Sequence, residues 1–93
     1  MQNDIFGVYL KEKRTQRHLS LRELARKSGI AHTYLRNIEK GIKPPPSDKI
    51  LLQLEKSLLL DEASKVIFYD IAAQVKKLLI KTLFTYRQIF QVI

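Results

Sequence analysis

Residues 19–41, LSLRELARKSGIAHTYLRNIEKG, carry the densest local information in this 93-residue chain. Ser20-Leu21-Arg22-Glu23 is a capping-box pattern, in which the serine hydroxyl can accept from the Glu23 amide while the glutamate reaches back to Ser20. Leu21, Leu24 and Ala25 then recur at helical spacing, so a helix begins at Ser20. Gly29 supplies a residue that can take positive φ where that helix stops. A second short helix is predicted from about Ala31 to Lys40, with Leu35 and Ile38 turned inward and Gly41 at its end. Two short helices are thus separated by Ser28-Gly29-Ile30 alone.

The flanking sequence reads as helix as well. A helix from about Asp4 to Gln16 places Phe6, Tyr9 and Leu10 on one apolar face, with Gly7 inside it. Pro44, Pro45 and Pro46 form a stiff break. A fourth helix starts at Ser47, with Asp48 in its first turn complementing the dipole and Ile50, Leu51, Leu54 and Leu58 facing in. Asp61 can cap a fifth helix that runs through Phe68 and Ile71 and continues, whole or broken, to the end. β-Branched runs of alternating polarity are missing. The expectation is an all-α fold, a compact bundle of about five helices over residues 1–73, with a helical extension over residues 74–93.

Charge narrows the function. The chain carries a net charge of +8. Residues 1–46 hold ten Lys or Arg against four acids, and residues 47–93 hold seven against five, so the positive charge lies mostly in the front half. That distribution suits a face that meets a polyanion. There is no cysteine, which excludes a disulfide scaffold, thiol catalysis and thiolate zinc sites. His18 and His32 are the only histidines and have no carboxylate cluster beside them, so no metal or cofactor is expected. No nucleophile with its base, phosphate-cradling glycine loop or catalytic carboxylate pair is present, and a non-enzyme is expected. No signal-peptide pattern or membrane span is apparent, so the expected location is the cytoplasm, off the membrane.

A glycine-containing turn between two short helices is the plan of a helix-turn-helix, which leaves one face of the second helix free for the major groove of duplex DNA. With Leu35 and Ile38 buried, His32, Thr33, Arg36 and Asn37 fall on the other side. These residue types suit base edges: asparagine pairs with adenine, arginine with guanine, and threonine touches the thymine methyl. Arg22 lies in a helix first turn, where amides also point outward, and Arg17, Lys40 and Lys43 flank the motif. All four are candidate phosphate contacts.

The same residues carry a resemblance. Leu19, Ser20, Glu23-Leu24-Ala25, Gly29-Ile30, Tyr34-Leu35, Ile38-Glu39 and Gly41, followed by Ser47, Ile50, Leu51 and Leu54, closely resemble the phage repressor/Cro-like (Xre-type) helix-turn-helix family over roughly residues 5–73. The resemblance implies a transcriptional regulator, most simply a repressor, that binds operator DNA. It places His32, Thr33 and Asn37 at usual base-contacting positions. It further implies an ion pair between Arg14 and Glu39 bracing the motif. Leu21 departs from the pattern, because many members carry a glutamine there that helps hold phosphate.

The tail, QVKKLLIKTLFTYRQIFQVI, lies beyond what the family dictates. Phe68, Ala72, Val75, Leu79, Thr82, Tyr86, Ile89 and Ile93 alternate by four and three, a seam suited to helix pairing, and Leu78, Leu83 and Phe90 widen it. A helix folded onto its own core and a membrane-surface helix are alternatives. The adopted expectation is a homodimer held by Val75, Leu79, Tyr86, Ile89 and Phe90, acting on a near-palindromic operator. An antitoxin-like protein whose tail holds a toxin, or an interaction adaptor using the tail, are rival uses.

Overall fold

The computed structural model describes residues 5–92, with the side chains of residues 86 and 89–92 excepted, and consists of five helices. These are α1 (Ile5–Gln16), α2 (Leu21–Ser28), α3 (His32–Glu39), α4 (Asp48–Leu58) and α5 (Glu62–Val92). Among the described residues there is no strand. Asp4, expected to open the first helix, lies outside the described residues.

Local chemistry sets the boundaries. Ser20 Oγ accepts from the Glu23 amide at 3.1 Å, and the Ser20 amide donates to Glu23 Oε1 at 2.8 Å, so both halves of the capping box form. Gly29 takes φ 73° and its amide donates to the Ala25 carbonyl, closing α2. The buried Ser28 hydroxyl accepts from the Ile30 amide at 3.3 Å, which fixes the turn. Asp61 Oδ1 accepts from the Ser64 amide at 2.7 Å and caps α5. Ser47 is the exception: it stands at the N-cap of α4 without a side-chain cap bond.

Packing joins α1 to α3 and α5, and α2 to α3 and α4. Leu10, Leu24, Leu35, Leu54 and Phe68 are fully buried and form the centre of one core. Phe6 and Phe68 meet with ring centroids 5.2 Å apart. Gly7 lets α1 approach the end of α3 closely. A Cβ there would stand 2.6 Å from the Glu39 carbonyl oxygen and closer still to that of Ile38.

Helix α5 is continuous across the boundary expected near residue 73. Its first half supplies Phe68, Ala72 and Val75 to the core, and every described side chain from Lys77 onward is exposed. At about 1.5 Å per residue the helix is about 46 Å long, which accounts for the 51 Å long axis of the molecule. Val75 was expected on the dimer seam. It is instead packed in the chain's own core, with Ile5 at the start of α1 nearby. Tyr86, Ile89 and Phe90, the rest of the expected seam beyond Leu79, have side chains outside the described residues, as does Ile93.

Candidate nucleic-acid interface

Helix α3 is held by its apolar side. Leu35 and Ile38 are almost wholly buried, and at about 100° per residue they define one direction. Thr33, Arg36 and Lys40 are exposed on the opposite side, and His32 and Asn37 are half-buried at its edges. The four residues expected to read bases therefore share one face of one helix. The Asn37 carbonyl accepts from the amides of Ile42 and Lys43 at 2.9 and 3.1 Å, which folds the following turn back and fixes where Lys43 leaves α3.

The brace behind this face is direct. Arg14 Nε donates to Glu39 Oε2 at 2.7 Å and Nη2 donates to Oε1 at 3.0 Å, a two-pronged pair between α1 and α3. Arg14 Nη1 donates to the Leu19 carbonyl at 2.7 Å, tying in the segment before α2. The two side chains are 11% and 6% exposed. The hydrogen bond to Glu39 raises the Arg14 pKa above its ordinary value despite burial, so the guanidinium stays charged.

Arg22, Lys40 and Lys43 are exposed and form no ion pair among the described residues. Near Arg22, the capping box uses the Glu23 amide, while the Leu21 and Arg22 amides belong to the first turn and have no intrahelical acceptor. Leu21 is half-buried against the core, a packing role where the family's glutamine would be polar.

Arg17, expected at a phosphate, has its donors turned toward α4. Its Nε donates to the Leu58 carbonyl at 2.9 Å and its Nη2 to the Leu59 carbonyl at 2.7 Å. It thereby satisfies carbonyls at the end of α4, where Leu59 itself turns left-handed at φ 53°. A cation at a helix C-terminus is favourably placed by the dipole, which is why the side chain is drawn there.

Other supporting contacts had no local signal in the sequence. Tyr69 donates to Glu55 Oε1 at 2.8 Å, and burial followed by this contact pushes its pKa up to about 12. Lys65 reaches the other Glu55 oxygen at 3.5 Å, and Tyr9 donates to the Ser64 carbonyl at 3.2 Å. These join α4 and α1 to α5 across separations no short pattern reveals. Among the described residues, no group of three or more His, Cys, Asp and Glu could hold a metal ion, and no helix is long and apolar enough to cross a membrane.

Comparison with known proteins adds independent findings. The sequence profile of the helix-turn-helix family matches residues 10–63. The HTH-type transcriptional regulator SinR of Bacillus subtilis is 38% identical over 64 residues, covering 62% of this chain and 58% of SinR. An uncharacterized HTH-type transcriptional regulator of Mycobacterium tuberculosis, MT0491, is 36% identical over 52 residues, covering 56% of this chain. The match takes in only 36% of the mycobacterial protein's length. Among solved structures, that of SinR in complex with DNA superposes with a TM-score of 0.59 at 33% identity, over 61% of this chain and 90% of that one.

Proposed function

The chain belongs to the helix-turn-helix family, of the Xre-like type, and from that premise we propose that it is a non-enzymatic, sequence-specific regulator of transcription that lays α3 in the major groove of duplex DNA. The observation that carries the reading is the two-sidedness of α3: Leu35 and Ile38 are locked in the core while Thr33 and Arg36 are exposed opposite them. His32, Thr33, Arg36 and Asn37 contact base edges. Arg22, Lys40, Lys43 and the first-turn amides of α2 contact phosphates, with Arg17 no longer in that set. Similarity to SinR, whose solved complex contains DNA, supports the same assignment.

The finer reading is a repressor acting as a homodimer, with residues 1–73 as the DNA-binding body and residues 74–93 as the dimerising tail. Leu78, Leu79 and Leu83 are exposed along the part of α5 beyond the core, so the seam starts at Leu79. A two-fold pair would set the reading helices about one DNA turn, roughly 34 Å, apart. Selection of bound fragments from a pool of random duplexes tests both levels. Enrichment of a near-palindrome is expected, and no enrichment above the starting pool refutes sequence-specific binding. Sedimentation tests the seam: Leu79→Glu with Ile89→Glu should turn a dimer into a folded monomer, and a wild-type monomer at roughly tens of micromolar refutes it. An adaptor or antitoxin-like use of the tail is the second reading, favoured by the breadth of its apolar surface.

A further inference from the structure

A paired-helix seam covers only part of the exposed tail. With Leu79 and Thr82 on the seam, Leu78 flanks it on one side and Leu83 borders it on the other, while Ile80, Phe84 and Arg87 point away from it. Ile80, Leu83 and Phe84 are nevertheless 68%, 68% and 62% exposed, and with Arg87 they line a shallow groove at the spacing i, i+3, i+4, i+7. Taking Val75 as the origin and about 100° per residue, Leu83, Lys76, Arg87, Ile80 and Phe84 fall at about 80°, 100°, 120°, 140° and 180°. The strip is therefore a line of three large apolar side chains with one cation at each end. The cations are eleven residues apart, or about 16 Å along the axis.

The charge of the strip selects its occupant. From residue 71 to residue 93 the chain has Lys76, Lys77, Lys81 and Arg87 and no Asp or Glu. Lys76 reaches Asp48 only at 4.0 Å, and that carboxylate is 97% exposed, a contact worth little and easily exchanged. Arg87 has no ion-pair partner among the described residues. A second tail laid on the strip would bring only further cations. An anionic lipid surface suits cations along the border of an apolar face, whereas Lys76 and Arg87 sit on its midline.

We infer that the Ile80–Leu83–Phe84 strip docks an amphipathic helix of a different protein, with apolar anchors against these three side chains and carboxylates three turns apart against Lys76 and Arg87. This rests on reading the tail as an association segment, but not on the homodimer. The mode is helix against helix face, with apolar anchors giving affinity and the end charges giving register and selectivity.

The test uses the full chain and a fluorescent synthetic amphipathic peptide with leucines at the matching spacing and glutamates eleven residues apart. Controls are the same peptide with lysines for the glutamates and one of scrambled order. Anisotropy should show the glutamate peptide binding about tenfold tighter than the lysine peptide, from two ion pairs gained against two repulsions. Ile80→Ser with Phe84→Ser should abolish binding, and Lys76→Gln with Arg87→Gln should erase the preference for glutamate. These residues lie outside the core, so circular dichroism should report folded variants. Equal binding of the glutamate and scrambled peptides overturns the inference. So does binding to phosphatidylserine vesicles that the serine variant loses while the peptides are ignored, or a tetramer that this variant reduces to a dimer while the peptides are ignored. Sedimentation of the wild type separates the two readings: a monomer that still binds the glutamate peptide sinks the homodimer and leaves the docking strip standing.

Discussion

Breaking the Arg14–Glu39 pair should cost more than breaking an exposed ion pair. The side chains are 11% and 6% exposed, and two hydrogen bonds join them at 2.7 and 3.0 Å. Removing one partner of a buried pair leaves the other charge poorly solvated, a loss of about 3–5 kcal/mol. In Glu39→Ala, Arg14 keeps its bond to the Leu19 carbonyl, so the loss should sit near about 3 kcal/mol. Arg14→Ala loses that bond as well and strands the Glu39 carboxylate, placing it toward about 5 kcal/mol. At roughly 4–8 °C per kcal/mol for a domain of this size, Glu39→Ala should lower Tm by about 12–24 °C. Thermal and urea unfolding of both singles and the double variant give the coupling energy. The double variant should be clearly less destabilised than the two singles added together. Coupling indistinguishable from zero would refute the claim that α1 braces the reading helix through this pair.

Gly7→Ala should destabilise the fold by about 1–3 kcal/mol or more, because the added Cβ meets the Ile38 and Glu39 carbonyls; wild-type Tm would refute the close approach. Arg17→Ala should cost about 1–2 kcal/mol of stability and leave the salt dependence of DNA binding unchanged, since its donors face α4 carbonyls; a shallower salt slope at wild-type stability would restore it to the phosphate set. The Glu23 and Asp61 carboxyls are held below their ordinary pKa, chiefly by the backbone amides of Ser20 and Ser64 respectively. A depressed folded pKa contributes stability that is present above about pH 4 and lost as pH falls through the folded value. Tm scans from about pH 6 to pH 2 should be flatter in Glu23→Gln with Asp61→Asn than in wild type, and parallel scans would refute the capping contribution.

What could be read in advance depended on how local the chemistry was. The capping box at Ser20 and Glu23, the stop at Gly29 and the cap at Asp61 each use residues within a few positions of one another, and all three form. The two faces of α3 followed from helical spacing around Leu35 and Ile38. The Arg14–Glu39 contact spans 25 positions and was accessible only through the family resemblance. The carbonyl partners of Arg17, at Leu58 and Leu59, lie about 40 residues away, so no local pattern shows that its donors turn toward α4. The regular alternation from Phe68 to Ile93 could not show where the chain's own core ends and free surface begins. Val75, 4% exposed, belongs to the first and Leu79, 43% exposed, to the second.

The central claim is that the outward face of α3 reads bases while the cations around it hold phosphates. It is tested most directly by anisotropy titrations of one duplex obtained by selection and one of random sequence, over a range of salt. Asn37→Ala and His32→Ala should each lose about 1–3 kcal/mol on the selected duplex and almost nothing on the random one. Arg22→Ala and Lys43→Ala should weaken both duplexes alike and each reduce the slope of log affinity against log salt by about 0.9. Four variants that behave identically on the two duplexes, or a wild type that binds neither at low salt, would contradict the account.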